Sequence, residues 1–153
     1  MPHEHSEMAV RERWKGTKPV GLSTGECVEL LLPATVADAR IQAVYLFGSR
    51  AAGEGHADSD VDLAVYTTDD YEWGDLFALR GTLTGLLHSE RLDLVWLNHA
   101  KAGVAFSVIR DGRLLHFADA DRLNEFERRV IWRYRDRVLY LQGRRNRRHG
   151  VSA

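Results

Sequence analysis

The amino-acid sequence predicts an α/β protein, with a small mixed sheet flanked by helices and a long helix near its C-terminal end. Short apolar runs that suit strands alternate with longer segments in which apolar residues recur every three or four positions. The resulting order is helix, strand, loop, strand, helix, strand, helix, strand, helix, which is typical of an α/β chain. Its 153 residues, 44% hydrophobic and 28% charged, fit one domain with a single core.

The element boundaries follow from local signals. Ser23 followed by Glu26 matches the capping-box pattern and predicts that a helix begins there, and Pro33 either ends that helix or begins a second helical segment. Gly143 is expected to stop the last helix. The remaining segments are predicted as a strand at 43–47, a short helix and loop at 49–59, a strand at 61–67, a helix at 71–89, a strand at 92–97, a short helix at 100–110, a strand at 113–117 and the long helix at 121–142.

The charge is distributed unevenly along the chain. Residues 121–153 hold ten arginines against four acidic residues, a charge of about +6, which leaves −7 on the first 120 residues. Such a basic element is either a solvated helix face or a contact surface for an acidic partner. We predict a mobile N-terminal segment at 1–20, one domain at 21–142 and an arginine-rich tail at 143–153.

Several protein classes are excluded by composition. Cys27 is the single cysteine, so neither an intrachain disulfide nor a four-cysteine zinc site can form. No apolar stretch is long enough to span a membrane, and the N-terminus lacks the apolar run of a secretory signal. We therefore expect a cytoplasmic protein with no membrane partner.

The segment from Gly48 to Leu63 holds the candidate site. Gly48 ends a strand and permits a sharp turn with close approach to a ligand, and Ser49 follows at the expected start of a short helix. Free backbone N–H groups and a hydroxyl at such a start suit a phosphate. Arg50 either adds positive charge to a nucleotide site or points to solvent.

Three aspartates are candidates for metal binding. Asp60 and Asp62 lie two residues apart where a strand begins, so both side chains take one face. Two carboxylates about 4 Å apart repel by roughly 4 kcal/mol at an effective dielectric constant near 20, which favours a shared cation. Asp93 lies within an apolar strand and needs a partner. Oxygen ligands favour Mg²⁺ or Mn²⁺, although the first pair could also belong to a solvated loop.

A Gly-Ser pair, ten residues and an Asp-x-Asp motif resemble the nucleotidyltransferase superfamily that includes DNA polymerase β. The chain's small size resembles the minimal nucleotidyltransferase (MNT) group. Residues 92–98, Ala100, 108–115 and Phe126-Glu127-Arg128-Arg129 resemble the MntA family of adenylyltransferase antitoxins. The resemblance covers most of residues 41–142.

The resemblance implies a fold, an activity and a partner. MNT antitoxins pair with a HEPN-domain toxin, and the MntA type transfers AMP from ATP to a tyrosine of that toxin. By motif, Gly48 and Ser49 would contact the triphosphate, Asp60 and Asp62 would bind Mg²⁺, and Asp93 would bind metal and help deprotonate the acceptor hydroxyl.

Two other functions remain open on the sequence. The chain could be a binding module that neutralises a toxin by covering its surface, or a nucleotidyltransferase that modifies a small molecule such as an aminoglycoside. A homo-oligomer is compatible with the sequence, whereas direct binding of nucleic acid is not expected.

Overall fold

A computed structural model describes residues 17–148 of the chain. The order of elements is the predicted one. The elements are α1 (Thr24–Val36), β1 (Ile41–Phe47), α2 (Gly48–Ala51), β2 (Val61–Thr67), α3 (Trp73–Leu87), β3 (Leu92–Trp96), a 3₁₀ turn (Leu97–His99), α4 (Ala102–Asp111), β4 (Arg113–Phe117) and α5 (Ala120–Arg148). No helix within 17–148 combines the length and the apolar character that crossing a membrane requires.

The four strands form one mixed sheet in the order β3-β2-β1-β4. β1 pairs with β2 and with β4 in antiparallel fashion, whereas β2 and β3 are parallel. This confirms the predicted α/β class with a small mixed sheet. The parallel pair requires a crossover, which α3 supplies.

Helices cover both faces of the sheet because alternate strand residues face opposite layers. On one face Leu31 of α1 and Leu83 of α3 pack in a cluster with Val44 and Leu63 of the sheet. The other face is covered by α4 and α5. Its buried cluster contains Ala43, Tyr45, Ala64, Leu97, Ala105, Val108, Leu123, Phe126 and Val130.

The first helix begins as predicted and continues through its proline. The Ser23 hydroxyl accepts from the backbone N–H of Glu26 at 3.1 Å, and the Glu26 carboxylate accepts from that of Ser23 at 3.3 Å. Pro33 neither ends the helix nor begins a second one. Pro33 is exposed, so water can satisfy the carbonyl that its missing N–H leaves over, while Leu31 and Thr35 hold the surrounding turn in the core.

The start of the packed region and the end of the last helix differ from the prediction. Val20 is only 7% exposed and belongs to the core, and the Ser89 hydroxyl donates to the carbonyl of Lys18. Residues 17–20 are therefore part of the domain, while residues 1–16 and 149–153 lie outside the described residues. Gly143 does not stop α5, which runs to Arg148. A helical glycine costs only about 1 kcal/mol, and the arginines that follow suit a helix C-terminus.

The long helix is attached to the sheet by hydrogen bonds and by ring stacking between large side chains. The Tyr45 hydroxyl, in a residue only 2% exposed, donates to the Glu127 carboxylate at 2.7 Å. Burial and the adjacent carboxylate raise the pKa of Tyr45 far above its usual range, so the phenol stays protonated and keeps donating. The ring of Tyr66 stacks on that of Phe126 at 3.9 Å, and Arg129 donates to the Tyr66 hydroxyl at 3.0 Å.

We predict that Tyr45→Phe lowers the free energy of unfolding by about 1 to 3 kcal/mol, because the half-buried carboxylate of Glu127 loses its donor. Urea unfolding measures the change. Tyr140→Phe is the matched control, since Tyr140 is 56% exposed on the same helix and should change stability by less than about 0.5 kcal/mol. Equal effects of the two variants would contradict the prediction.

Candidate active site

Asp62 and Asp93 lie side by side on neighbouring strands. In the parallel pairing of β2 with β3 the two residues are directly in register, and neighbouring strands lie about 4.8 Å apart. Registered residues point to the same face, here the one covered by α4 and α5, because Ala64 and Val95 of the same strands belong to that layer. Val61, Leu63 and Val65 face the opposite core, as predicted. The fold therefore brings together two aspartates that lie 31 residues apart in the sequence.

The backbone of Gly48 also lies against the Asp62 carboxylate. It follows β1, whose last residue, Phe47, pairs with Asp62, and its φ of +71° lies in the region that favours glycine. A Cβ at this position would lie 2.2 Å from Oδ2 of Asp62 and 3.3 Å from its Cβ. No side chain fits there, so the Asp62 carboxylate lies against bare backbone at the start of α2.

Asp60 is held through its backbone. It lies one residue before Val61, the first residue of β2. Its carbonyl accepts from Nε of Arg50 at 3.2 Å. The first amide of β2, that of Val61, donates to the carbonyl of Arg91 at 3.0 Å, which ties this segment to the strand that carries Asp93.

Arg50 is a buried clamp, which corrects the expectation that it faces a nucleotide or solvent. Arg50 is only 3% exposed, and its guanidinium has acceptors for all five of its N–H groups. It donates to the carbonyls of Leu22, Ala57, Ser59 and Asp60 at 2.8 to 3.2 Å and to the Thr24 hydroxyl at 3.4 Å. The sequence interpretation missed this role, since nothing in it showed that the following loop folds back over α2.

The loop between α2 and β2 packs closely around this clamp. The Ser49 carbonyl accepts from the amides of Glu54 and Gly55, both at 3.0 Å. Gly55 lies so close to Arg50 that a Cβ would meet the Arg50 Cα at 2.8 Å. Ser49 itself is exposed and follows directly on Gly48. The Gly-Ser bend and the aspartates are thus joined by a compact, internally bonded loop.

The donor set suits a hard divalent cation. Two carboxylates in register at one end of the sheet, and that of Asp60 just before β2, supply oxygen ligands of the kind that Mg²⁺ and Mn²⁺ prefer. Across residues 17–148, no three His, Cys, Asp or Glu side chains are already grouped as a metal site. A cation at this point would be bound by side chains that turn toward it.

A separate cavity of about 330 Å³ lies at the other end of the sheet. It is lined by residues that follow or end β2 and β3, including Thr68, Asn98 and His99, and by Arg129 and Arg133 of α5. None of the three aspartates lines it. This cavity and the acidic group are therefore different places, and the chemistry of the side chains identifies the acidic group as the candidate active site.

We predict that Arg50→Lys lowers the free energy of unfolding by at least about 2 kcal/mol, because an ammonium cannot reach the carbonyls of both Leu22 and Ser59 and leaves buried acceptors unpaired. Arg110→Lys is the matched control. Its side chain is 58% exposed and bonds the neighbouring Asp111, so a change below about 0.5 kcal/mol is expected. Denaturant unfolding that gave equal losses would refute the clamp.

Two curated relatives share part of the sequence. The protein adenylyltransferase MntA of Aphanizomenon flos-aquae is 34% identical over 100 residues, which are 60% of this chain and 67% of that protein. The MntA of Shewanella oneidensis is 34% identical over 76 residues, and this chain spans only about half of its length, 54%.

Solved structures share the fold. A crystal structure of a toxin–antitoxin with AMP-PNP covers 80% of this chain and 93% of its own, with 28% identity and a TM-score of 0.61. The complex of a tri-AMPylated Shewanella oneidensis HEPN toxin with its MNT antitoxin covers 83% and 92%, with 26% identity and a TM-score of 0.56. The family model described as polymerase beta, nucleotidyltransferase matches residues 32–121. That segment contains the Gly-Ser bend, the Arg50 clamp and all three aspartates, and the chain belongs to the polymerase beta nucleotidyltransferase family.

Proposed function

We propose that this chain is a Mg²⁺-dependent adenylyltransferase antitoxin, which transfers AMP from ATP to a HEPN-domain toxin and thereby neutralises it. One observation carries the proposal: Asp62 and Asp93 stand in register beside the bare backbone of Gly48. This arrangement supports nucleotidyl transfer within a nucleotidyltransferase family. Relatives named as adenylyltransferases, and a similar structure in which the HEPN toxin is AMPylated, support AMP as the group and the toxin as the acceptor.

The reaction is a displacement at the α-phosphorus of ATP. An acceptor hydroxyl oxygen forms a bond to that phosphorus, the bond to the β-phosphate oxygen breaks, and pyrophosphate leaves with the electron pair. Asp60, Asp62 and Asp93 would hold the Mg²⁺, or Mn²⁺ in its place. When bound, divalent cations activate the attacking hydroxyl and stabilise the charge of the leaving pyrophosphate.

The remaining tasks belong to the chain itself. The Asp93 carboxylate accepts the proton of the acceptor hydroxyl, and Gly48 and Ser49 contact the triphosphate through backbone N–H groups and the serine hydroxyl. Arg50 is a positioning residue and not a source of charge for the nucleotide, since its guanidinium holds the Asp60 backbone. The register of β2 against β3 keeps Asp62 beside Asp93 without substrate.

A non-catalytic binding role is the second candidate, and the exposed surface of α5 favours it. Large apolar residues of that helix are 46% to 56% exposed, namely Ile131, Trp132, Tyr140 and Leu141. Exposed apolar surface of this kind is typical of a protein interface. A toxin covered by this helix would be neutralised even without AMP transfer. Modification of a small molecule, such as an aminoglycoside, has no comparable observation in its favour.

We predict that Asp60→Ala reduces AMP transfer more than about 100-fold. Removing a residue that only hydrogen-bonds to a metal ligand already lowers activity by about 10- to 100-fold, and removing the ligand itself should cost at least as much. The assay mixes the chain with ATP, Mg²⁺ and the HEPN-domain protein encoded beside it, and mass spectrometry counts the AMP units added to that protein. Asp58→Ala is the matched control, since Asp58 is exposed in the same loop. Absence of AMP transfer by the unsubstituted chain would refute the enzymatic proposal, and neutralisation that survives Asp60→Ala would favour the binding role.

We predict that Gly48→Ala abolishes AMP transfer, since its methyl group would displace the Asp62 carboxylate. Gly53→Ala is the matched control. Gly53 has nearly the same backbone strain, with a φ of +77°, but no atom within 4 Å of the added Cβ. Thermal unfolding should show a loss of about 1 kcal/mol for Gly53→Ala and at least as much for Gly48→Ala, but only Gly48→Ala should lose activity. Similar activity of the two variants would exclude the close contact.

A further inference from the structure

The last helix, α5, extends beyond the rest of the domain. All of its buried residues, Leu123, Phe126 and Val130, lie in its first eleven positions, although α5 runs for 29 residues, about 43 Å. Tyr134 still contacts the body, because its ring stacks on that of Phe106 at 4.0 Å and 1°. Beyond Tyr134 the same side of the helix continues as Val138 and Leu141, and Leu141 is 47% exposed.

This overhang forms one wall of a groove of about 1040 Å³, whose other wall is the beginning of α4. Its floor is apolar and includes Val104, Tyr134, Val138 and Leu141. Val104 of α4 is 43% exposed and Leu141 of α5 is 47% exposed, so apolar residues from both helices face solvent in the groove. The groove extends the packing between α4 and α5 that buries Val108 and Phe126 further along the same two helices.

The rim of the groove is basic. Lys101 is the N-cap of α4, and Arg133 and Arg137 line the opposite wall together with Asp136. The positive end of the ten-residue helix α4 points into the same place. From residue 133 to residue 148 the overhang holds seven arginines against one aspartate. An occupant with negative charge around an apolar stripe complements this groove in both respects.

The mixed character of the groove decides between classes of occupant. The phosphate backbone of a nucleic acid would be attracted by the arginines, but it has no apolar surface to pack against the floor of the groove. A second copy of this overhang would bring seven more arginines against the first set. An amphipathic helix that lays its apolar side into the groove, with acidic residues at its flanks, satisfies both the floor and the rim.

We propose that this groove docks an acidic amphipathic helix of the toxin that the chain modifies. The proposal rests on the proposed function for the identity of that partner. The groove is built by α4 and α5 and contains none of the three aspartates. Docking there is therefore separable from the transfer chemistry, and would recruit the toxin through a surface other than its acceptor hydroxyl.

Equilibrium titration tests the docking with the full-length chain and the HEPN-domain protein encoded beside it, without nucleotide or metal. Leu141→Asp and Arg137→Glu are each expected to weaken binding at least tenfold, because the first places a charge on the apolar floor and the second reverses the rim. Leu139→Asp and Arg135→Glu are the matched controls. They carry the same substitutions two residues earlier, on the opposite side of the helix, where Leu139 is 54% exposed. The controls should stay within threefold of the unsubstituted chain.

The outcomes separate this proposal from the catalytic one. Unchanged binding by the groove variants, or equal weakening by the controls, overturns docking. Weakening by Arg137→Glu alone also overturns it, since a purely electrostatic contact, as with RNA, needs no apolar floor. AMP transfer without a groove-dependent complex would support the enzymatic proposal and refute the docking site. A groove-dependent complex without AMP transfer would support the docking site and refute the enzymatic proposal. Equal thermal midpoints of all four variants verify that each of them folds.

Discussion

The candidate site depends on the contact between the Asp62 carboxylate and the bare backbone of Gly48. The position of Asp62 is defined by neighbours on both sides, Phe47 across the antiparallel ladder and Asp93 across the parallel one. With a Cβ at residue 48, either the carboxylate or the turn into α2 would have to move. One glycine therefore permits a strand end, a sharp turn and an acidic side chain to occupy the same small volume.

The loop between α2 and β2 is organised around the buried guanidinium of Arg50. Burying a guanidinium is costly unless each of its donors finds an acceptor. Arg50 meets that condition with the backbone carbonyls of Leu22, Ala57, Ser59 and Asp60, which draws the segments before α1 and before β2 onto the short helix α2. The position of Asp60 is thus a consequence of satisfying Arg50. We expect changes around Arg50 to affect the position of Asp60 as well as stability.

The long helix has two parts with different roles. Its first half closes one face of the sheet through Phe126 and Val130, and is fastened there by the contacts of Glu127 with Tyr45 and of Arg129 with Tyr66. Its second half carries apolar and arginine side chains that the described body of the chain does not cover. A helix built in this way can be anchored firmly at one end and present a surface to a partner at the other.

Local patterns in the sequence determined the order of elements, the capping of α1, the limits of β2 and β4, and the acidic motif beside the Gly-Ser bend. These features depend on neighbours a few positions apart, through hydrogen bonding within a turn or alternation along a strand. Only the tertiary structure decided the register that places Asp93 beside Asp62, because strand pairing joins residues 31 positions apart. It also turned Arg50 inward, carried α1 through Pro33 and α5 past Gly143, and left the end of α5 uncovered. In each of these cases the energy comes from groups distant in sequence: carbonyls that only the folded loop presents, core contacts that hold a turn in place, and a sheet that ends before the helix does.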